Sequence, residues 1–190
     1  MGARAVVFAC STALIVGLAR ADLQLTPRKS EYELEGIKLD RLAFPGTSGK
    51  DPTYQQPPGW TYSGSASKLS LYPPGNSQAE ARISLVALSE RADFGEEGLK
   101  KLIAAAMACA PKDGTAVAVI STDRNPIKIS GKETFRVLLR YNLFGQVFKR
   151  SVIFLNRERD QIRFEFAARD SDFDTLEQAF RSSLCTWRNL

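Results

Sequence analysis

The chain has 190 residues, with 26 lysines and arginines against 21 aspartates and glutamates, and it contains no histidine. Its length suits one compact domain, and a formal net charge of +5 is too small to argue for nucleic acid. Without histidine, Ser-His-Asp and Cys-His catalysis are excluded, as are histidine-ligated zinc and haem.

The first 21 residues read as a cleaved secretory signal peptide. Arg4 supplies the positive start, Ala5 to Leu18 the apolar run, and Ala19-Arg20-Ala21 an A-x-A cleavage site before Asp22. That run of 14 residues is shorter than the ~18–20 a bilayer-spanning helix needs, so no transmembrane anchor is expected after processing. Cys10 sits inside the apolar run with no polar mature segment behind it, which argues against lipidation. Processing removes Arg4 and Arg20, leaving 169 residues of net charge +3 in a secreted or periplasmic setting.

Residues 22–58 are uneven. "YELEGIKLDRLAF" alternates enough for extended chain, whereas "PGTSGKDPTYQQPP" has turn and coil composition, so an extended, loosely attached N-terminal arm is expected before a domain over 59–190. "SKLSLYPP" (67–74) and "ARISLVALS" (81–89) are alternating runs separated by Pro73, Pro74, Gly75 and Asn76, which predicts a hairpin. Asp93 with Glu96 three positions on predicts a capping box, and Leu99, Leu102, Ile103 and Ala106 carry a helix to about Cys109. Pro111 and Gly114 end it.

"TAVAVIS" (115–121) returns to strand character, and further strands are predicted at 132–143, 146–156 and 161–169. A closing helix is predicted over 172–187, on a stripe of Phe173, Leu176, Phe180, Leu184 and Trp187. With Phe144-Gly145 as a two-residue turn, Tyr141 faces Phe148, Val137 faces Val152 and Phe135 faces Phe154. Taking "NRERD" as a five-residue turn puts Phe154 beside Ile162 and Val152 beside Phe164, so Phe135, Val137, Leu139, Tyr141, Phe148, Val152, Phe154, Ile162, Phe164 and Phe166 would share one core face. The opposite face then carries Arg136, Arg140, Lys149 and Arg163 among aliphatics, while Arg150 would snorkel from the core face.

Hairpin, helix, antiparallel strands and closing helix, with "PPGW" at the entrance, "ISGKETFRVLLRYNLFGQVFKRSVIFLNRERDQIRFEF" as the meander and "DFDTLEQAFRSSLCTW" at the end, resemble a PsbP-like domain over about residues 57–187. The resemblance implies an α+β class fold, an antiparallel β-sheet flanked by helices as an α/β/α sandwich. It also implies a binding or assembly protein without a shared catalytic motif, and it transfers no functional residue to this chain.

Candidate chemistry is sparse. No phosphate-loop, dinucleotide or nucleophile-elbow motif is present, and no cofactor or metal is expected. Asp170, Asp172 and Asp174 imitate the start of a calcium loop, but the sixth and twelfth positions lack the required glycine and glutamate, so acids at a helix start explain them better. Trp187 continues an apolar stripe and reads as core. Cys109 and Cys185 survive processing; they could form a disulfide if the two helices lie on the same side of the sheet, or remain two inert thiols.

The basic group Arg136, Arg140, Lys149 and Arg163 is the candidate partner-binding patch, weighed against a merely solvated or helix-covered face. The reading is an exported non-enzymatic module docking on a protein or cell-envelope component. Its alternative is an enzyme using carboxylates and arginines on an anionic or glycan substrate.

Overall fold

The computed structural model describes residues 23–46, 50–90, 92–158 and 160–190. The expected signal peptide lies outside the described residues. Strands β1 (Arg28–Leu34), β2 (Ile37–Ala43) and β3 (Thr53–Tyr54) form a small antiparallel sheet. The larger sheet is built from β4 (Thr61–Ser65), β5 (Lys68–Tyr72), β6 (Glu80–Ala87), β7 (Thr115–Arg124), β8 (Phe135–Leu143), β9 (Gln146–Asn156) and β10 (Asp160–Arg169). Helix α1 (Glu96–Met107) intervenes between β6 and β7, and α2 (Asp170–Leu184) follows β10. The seven strands run in the order β4-β5-β6-β10-β9-β8-β7, every neighbouring pair antiparallel.

Both faces of this sheet are buried where β8, β9 and β10 meet. Leu102 and Ala106 of α1 close over Phe135, Val137, Leu139, Val152 and Phe154. Phe173, Phe180 and Leu184 of α2 close over Ile153, Leu155, Ile162, Phe164 and Phe166 on the other side. This is the α/β/α layering expected, but with the aromatic residues divided between two cores.

The division follows from one turn. Across the β8–β9 hairpin the register is as expected, with Phe135 opposite Phe154 and Tyr141 opposite Phe148. Between β9 and β10, however, Gln161 lies opposite Asn156 and Arg163 opposite Phe154, one residue away from the expected pairing. The connection has four residues, not five: Arg157 N–H donates to Asp160 O at 2.9 Å, and the Arg157 guanidinium meets the Asp160 carboxylate at 2.7 Å. A slip of one position reverses every side chain of a strand. Ile162, Phe164 and Phe166 therefore face α2, while Arg163 and Glu165 join the face under α1. The opposite face, with Leu138, Ile153 and Leu155, is covered by α2, the helix-covered alternative of the two weighed for it.

The N-terminal segment is not the loosely attached arm its composition suggests. Leu23, Leu25, Leu42, Phe44 and Tyr54 are almost completely buried in the core that α2 covers. Leu25 N–H donates to Ala66 O at 2.8 Å, and the approach is so close that a Cβ on Gly64 would lie 2.5 Å from the Pro27 ring and 2.9 Å from Leu25 O. Trp187, just beyond α2, stacks on Phe44 at 5.1 Å and on Tyr54 at 5.0 Å. A Trp placed between two remote aromatic rings gives the stretches around Phe44 and Tyr54 a reason to order.

The predicted capping box is displaced. Helix α1 starts at Glu96 behind Gly95, without a side-chain cap, and Asp93 Oδ1 instead accepts from Gly95 N–H at 2.9 Å. At the other edge, β7 pairs with β8 through two register irregularities, between Thr115 and Ala118 and between Val119 and Ser121, and Val119 and Ile120 are exposed.

Removing the aromatic clamp should be costly. Trp187→Ala is expected to destabilise by about 3–5 kcal/mol, as for other buried tryptophans, and to lower the midpoint in urea. If residues 22–58 were loosely attached, the midpoint would barely move.

Candidate functional site

The long β8–β9 hairpin carries Arg136, Arg140 and Lys149 of the basic residues picked out in the sequence and β10 carries Arg163, and the structure distributes them. Arg136, Arg140 and Lys149 lie on the α2 side, whereas Arg163 lies on the α1 side, so the four do not form one patch. The cause is the one-residue difference in the β9–β10 turn.

Three of the four are engaged within the fold. Arg136 meets Asp123 at 2.9 Å and the buried Glu177 of α2 at 3.2 Å, and Arg181 approaches the second Glu177 oxygen at 3.5 Å. Lys149 meets Asp170 at 2.8 Å and Asp174 at 3.8 Å. Arg163 donates to Gln161 Oε1 at 2.9 Å, and its guanidinium lies 5.7 Å from the Phe154 ring centre. Arg140 remains exposed and forms no ion pair among the described residues. Arg150, expected to snorkel from the core face, is instead paired at 2.7 Å with Glu165 on the face under α1.

These contacts shift titrations in a simple way. The hydrogen bond from Lys149 holds the Asp170 carboxyl below its usual value, and the same bond raises the Lys149 ammonium. Asp172 accepts from Asn76 at 3.0 Å, so the three acids that imitate a calcium loop are engaged with side chains around the start of α2.

The closed end of the hairpin presents a different surface. Phe144 (φ +50°) and Gly145 (φ +75°) are both left-handed, the geometry of a type I′ turn, in which Asn-Gly is the usual solution. Phe144 is nevertheless 86 % exposed. It borders a cavity of 320 Å³ with Leu143, Phe148, Gln146 and Gln78, and behind it Tyr141 and Phe148 stack at 5.8 Å. Arg169, opposite Phe148 on β10, donates to Gln78. The sequence did contain the signal: a phenylalanine where a tight turn calls for a residue tolerant of positive φ.

A larger cleft of 620 Å³ opens beside the start of α1, lined by Glu90, Asp93, Glu96, Glu97, Lys101 and Arg163 among others. Its acids are tied to local structure or to solvent: Asp93 accepts from Gly95 N–H, and Glu97 pairs with Lys100 at 2.7 Å on an open helix turn. Among the described residues no group of three acids and cysteines is arranged to hold a metal ion.

The two thiols are free. The condition for bridging them fails because α1 and α2 pack on opposite faces of the sheet. Cys109 Sγ donates to Ala105 O at 3.3 Å, and burial, with the nearby Glu165 carboxylate, raises its pKa; Cys185 is exposed.

An antiparallel sheet between two helices, with its charges drawn inward and an apolar turn left outside, defines an α+β protein of PsbP-like fold. The structure is similar to the solution structure of the cyanobacterial PsbP protein CyanoP from Synechocystis, at TM-score 0.51 and 11 % identity over 96 % of this chain and 98 % of that one. A Pseudomonas aeruginosa protein of unknown function aligns at TM-score 0.46 and 14 % identity, over 83 % of this chain and 94 % of that one. A Bacteroides thetaiotaomicron structure aligns at 0.45 and 11 %, over 72 % of this chain and 44 % of that one. No family model and no curated protein matches the sequence. At these identities the likeness is one of fold. No helix among the described residues is long and apolar enough to cross a membrane.

Arg136→Ala would leave the buried Glu177 carboxylate with only the longer Arg181 contact and should cost about 3 kcal/mol, whereas replacing both by Met and Leu should recover most of that loss. Equilibrium unfolding of the three variants checks the cycle. The Lys149–Asp170 pair should add stability only above the lowered Asp170 pKa and below the raised Lys149 pKa. The stability difference between wild type and Lys149→Gln should thus be flat at neutral pH and shrink toward both extremes; a difference independent of pH would refute the pairing.

Proposed function

We propose that the protein is an exported, non-enzymatic docking module that binds a protein partner in the cell envelope through the closed end of the β8–β9 hairpin. Export is supported by the N-terminal pattern of Arg4, the apolar run from Ala5 to Leu18 and Ala19-Arg20-Ala21. The observation that carries the docking surface is the exposure of Phe144 on a left-handed backbone. A large side chain in that conformation costs folding free energy and here packs into no core, so the fold itself gains little from it. Local conflicts of this kind concentrate where a protein meets something else.

The surroundings favour a protein surface over an anionic lipid surface. Arg140 and Lys149 form the fourth residue pair from the turn, with Arg169 on the neighbouring strand, but Asp170 and Asp174 bring opposite charge to the same end. An aromatic anchor in a rim of mixed charge is the usual arrangement of a protein–protein hot spot. Of the basic patch inferred from sequence, Arg140 belongs to this rim, beside the Lys149 ammonium held by Asp170 and Asp174; Arg136 and Arg163 serve the packing of α2 and the α1 face.

A photo-crosslinking phenylalanine analogue at position 144 tests the reading in the native envelope. One dominant protein adduct is expected, suppressed by excess unlabelled wild-type protein but not by Phe144→Asp. Equal suppression by both competitors, or no protein adduct, would refute it. Phe144→Asn, which suits the left-handed turn, should raise stability by about 1 kcal/mol while losing the adduct competition, which separates docking from folding.

A further inference from the structure

The junction of the small sheet with the end of α2 holds two adjoining cavities, of 480 Å³ and 500 Å³, that share Arg41, Thr53 and Arg188. They are brought together by pairing of distant segments: Thr53 and Arg188 exchange backbone hydrogen bonds at 3.1 and 3.0 Å, and Ser30 and Tyr32 lie on the same face of β1 and β2 as Arg41. Neither guanidinium has a carboxylate partner among the described residues; Asp51 lines one cavity, and Lys50 stands beside it.

Both arginines are nonetheless oriented. Arg41 lies over the Tyr32 ring, 5.0 Å from its centre, and its Nε is buried without a hydrogen-bond acceptor among the described residues. Arg188 donates one nitrogen to the carbonyl oxygens of Cys185 and Trp187, at 2.9 and 3.2 Å, which fixes the fork and leaves its other nitrogens without acceptors among the described residues. A buried guanidinium N–H without a partner calls for an acceptor, and two guanidiniums lining one cavity repel each other unless an anion intervenes. Neutral donors complete the wall: Tyr32 O–H donates to Gln55 Oε1 at 3.3 Å, leaving the Gln55 NH2 group available beside Thr53.

We propose that this cleft binds a small organic oxyanion, a carboxylate or a phosphate ester, held between Arg41 and Arg188. Planar guanidinium forks match both groups in two-point hydrogen bonds, and the cavity volumes lie in the range of small-molecule sites. The site is on another part of the surface from the hairpin turn and does not depend on docking there.

The test is an NMR titration of the full mature protein, reading arginine Nε–Hε signals at constant ionic strength, with inorganic phosphate in one arm, citrate in a second and chloride as reference. Saturable shifts of Arg41 and Arg188 are expected with phosphate, citrate or both, the tighter ligand identifying the preferred group. Arg41→Gln and Arg188→Gln should each weaken binding about tenfold, and Lys112→Gln, on a distant exposed loop, should leave it unchanged. Arg41→Lys keeps the charge but loses the fork, so it should also bind more weakly while its amide spectrum remains folded. Shifts that never saturate up to about 50 mM, that chloride reproduces, or that survive both Arg→Gln changes would overturn the site. Phe144→Asp should bind the anions normally, so failure here and failure of docking are distinguishable.

Discussion

Closure of the β9–β10 turn by Arg157 and Asp160 governs which face every residue of β10 occupies. With four residues in that turn, Phe164 and Phe166 meet α2 while Phe154, next door on β9, meets α1. The sheet is therefore buried on both sides, and each helix has its own apolar floor. Burying both faces also forces the charged residues of the central strands to find partners. Glu165 and Glu177 lie in places where an unpaired carboxylate would be costly, and Arg150 and Arg136 sit against them at 2.7 and 3.2 Å.

The basic character of the hairpin is consequently mostly internal. Arg136, Arg150 and Lys149 tie sheet to helix or strand to strand, and Arg163 covers Phe154. What remains for the outside is the exposed Arg140 and the turn with Phe144. The protein thus combines a three-layered body with a short apolar projection at the end of one hairpin.

Alternation and helix periodicity are local properties, and they made much of the fold legible: the β8–β9 pairing, both helices and the burial of Trp187 follow directly from them. Turn length is less legible. "NRERD" contains two residues, Arg157 and Asp160, whose ion pair shortens the connection, and nothing in alternation alone reports such a closure. The N-terminal segment was harder still, because Leu25, Phe44 and Tyr54 acquire their role only when Trp187 arrives from the far end of the chain. The same holds for Arg41 and Arg188, which sequence spacing cannot bring together. Phe144 was readable in principle, since a bulky residue before glycine in a tight turn conflicts with turn chemistry, but its exposure required the structure.

The irregular pairing of β7 has a consequence for how the molecule behaves in a crowd. A ten-residue border strand with outward Val119 and Ile120 would, if flat, offer a ready template on which a neighbouring chain could continue the ladder. The two offsets against β8 bend that border and interrupt its spacing of donors and acceptors, which makes continuation of the ladder by a neighbouring chain less favourable.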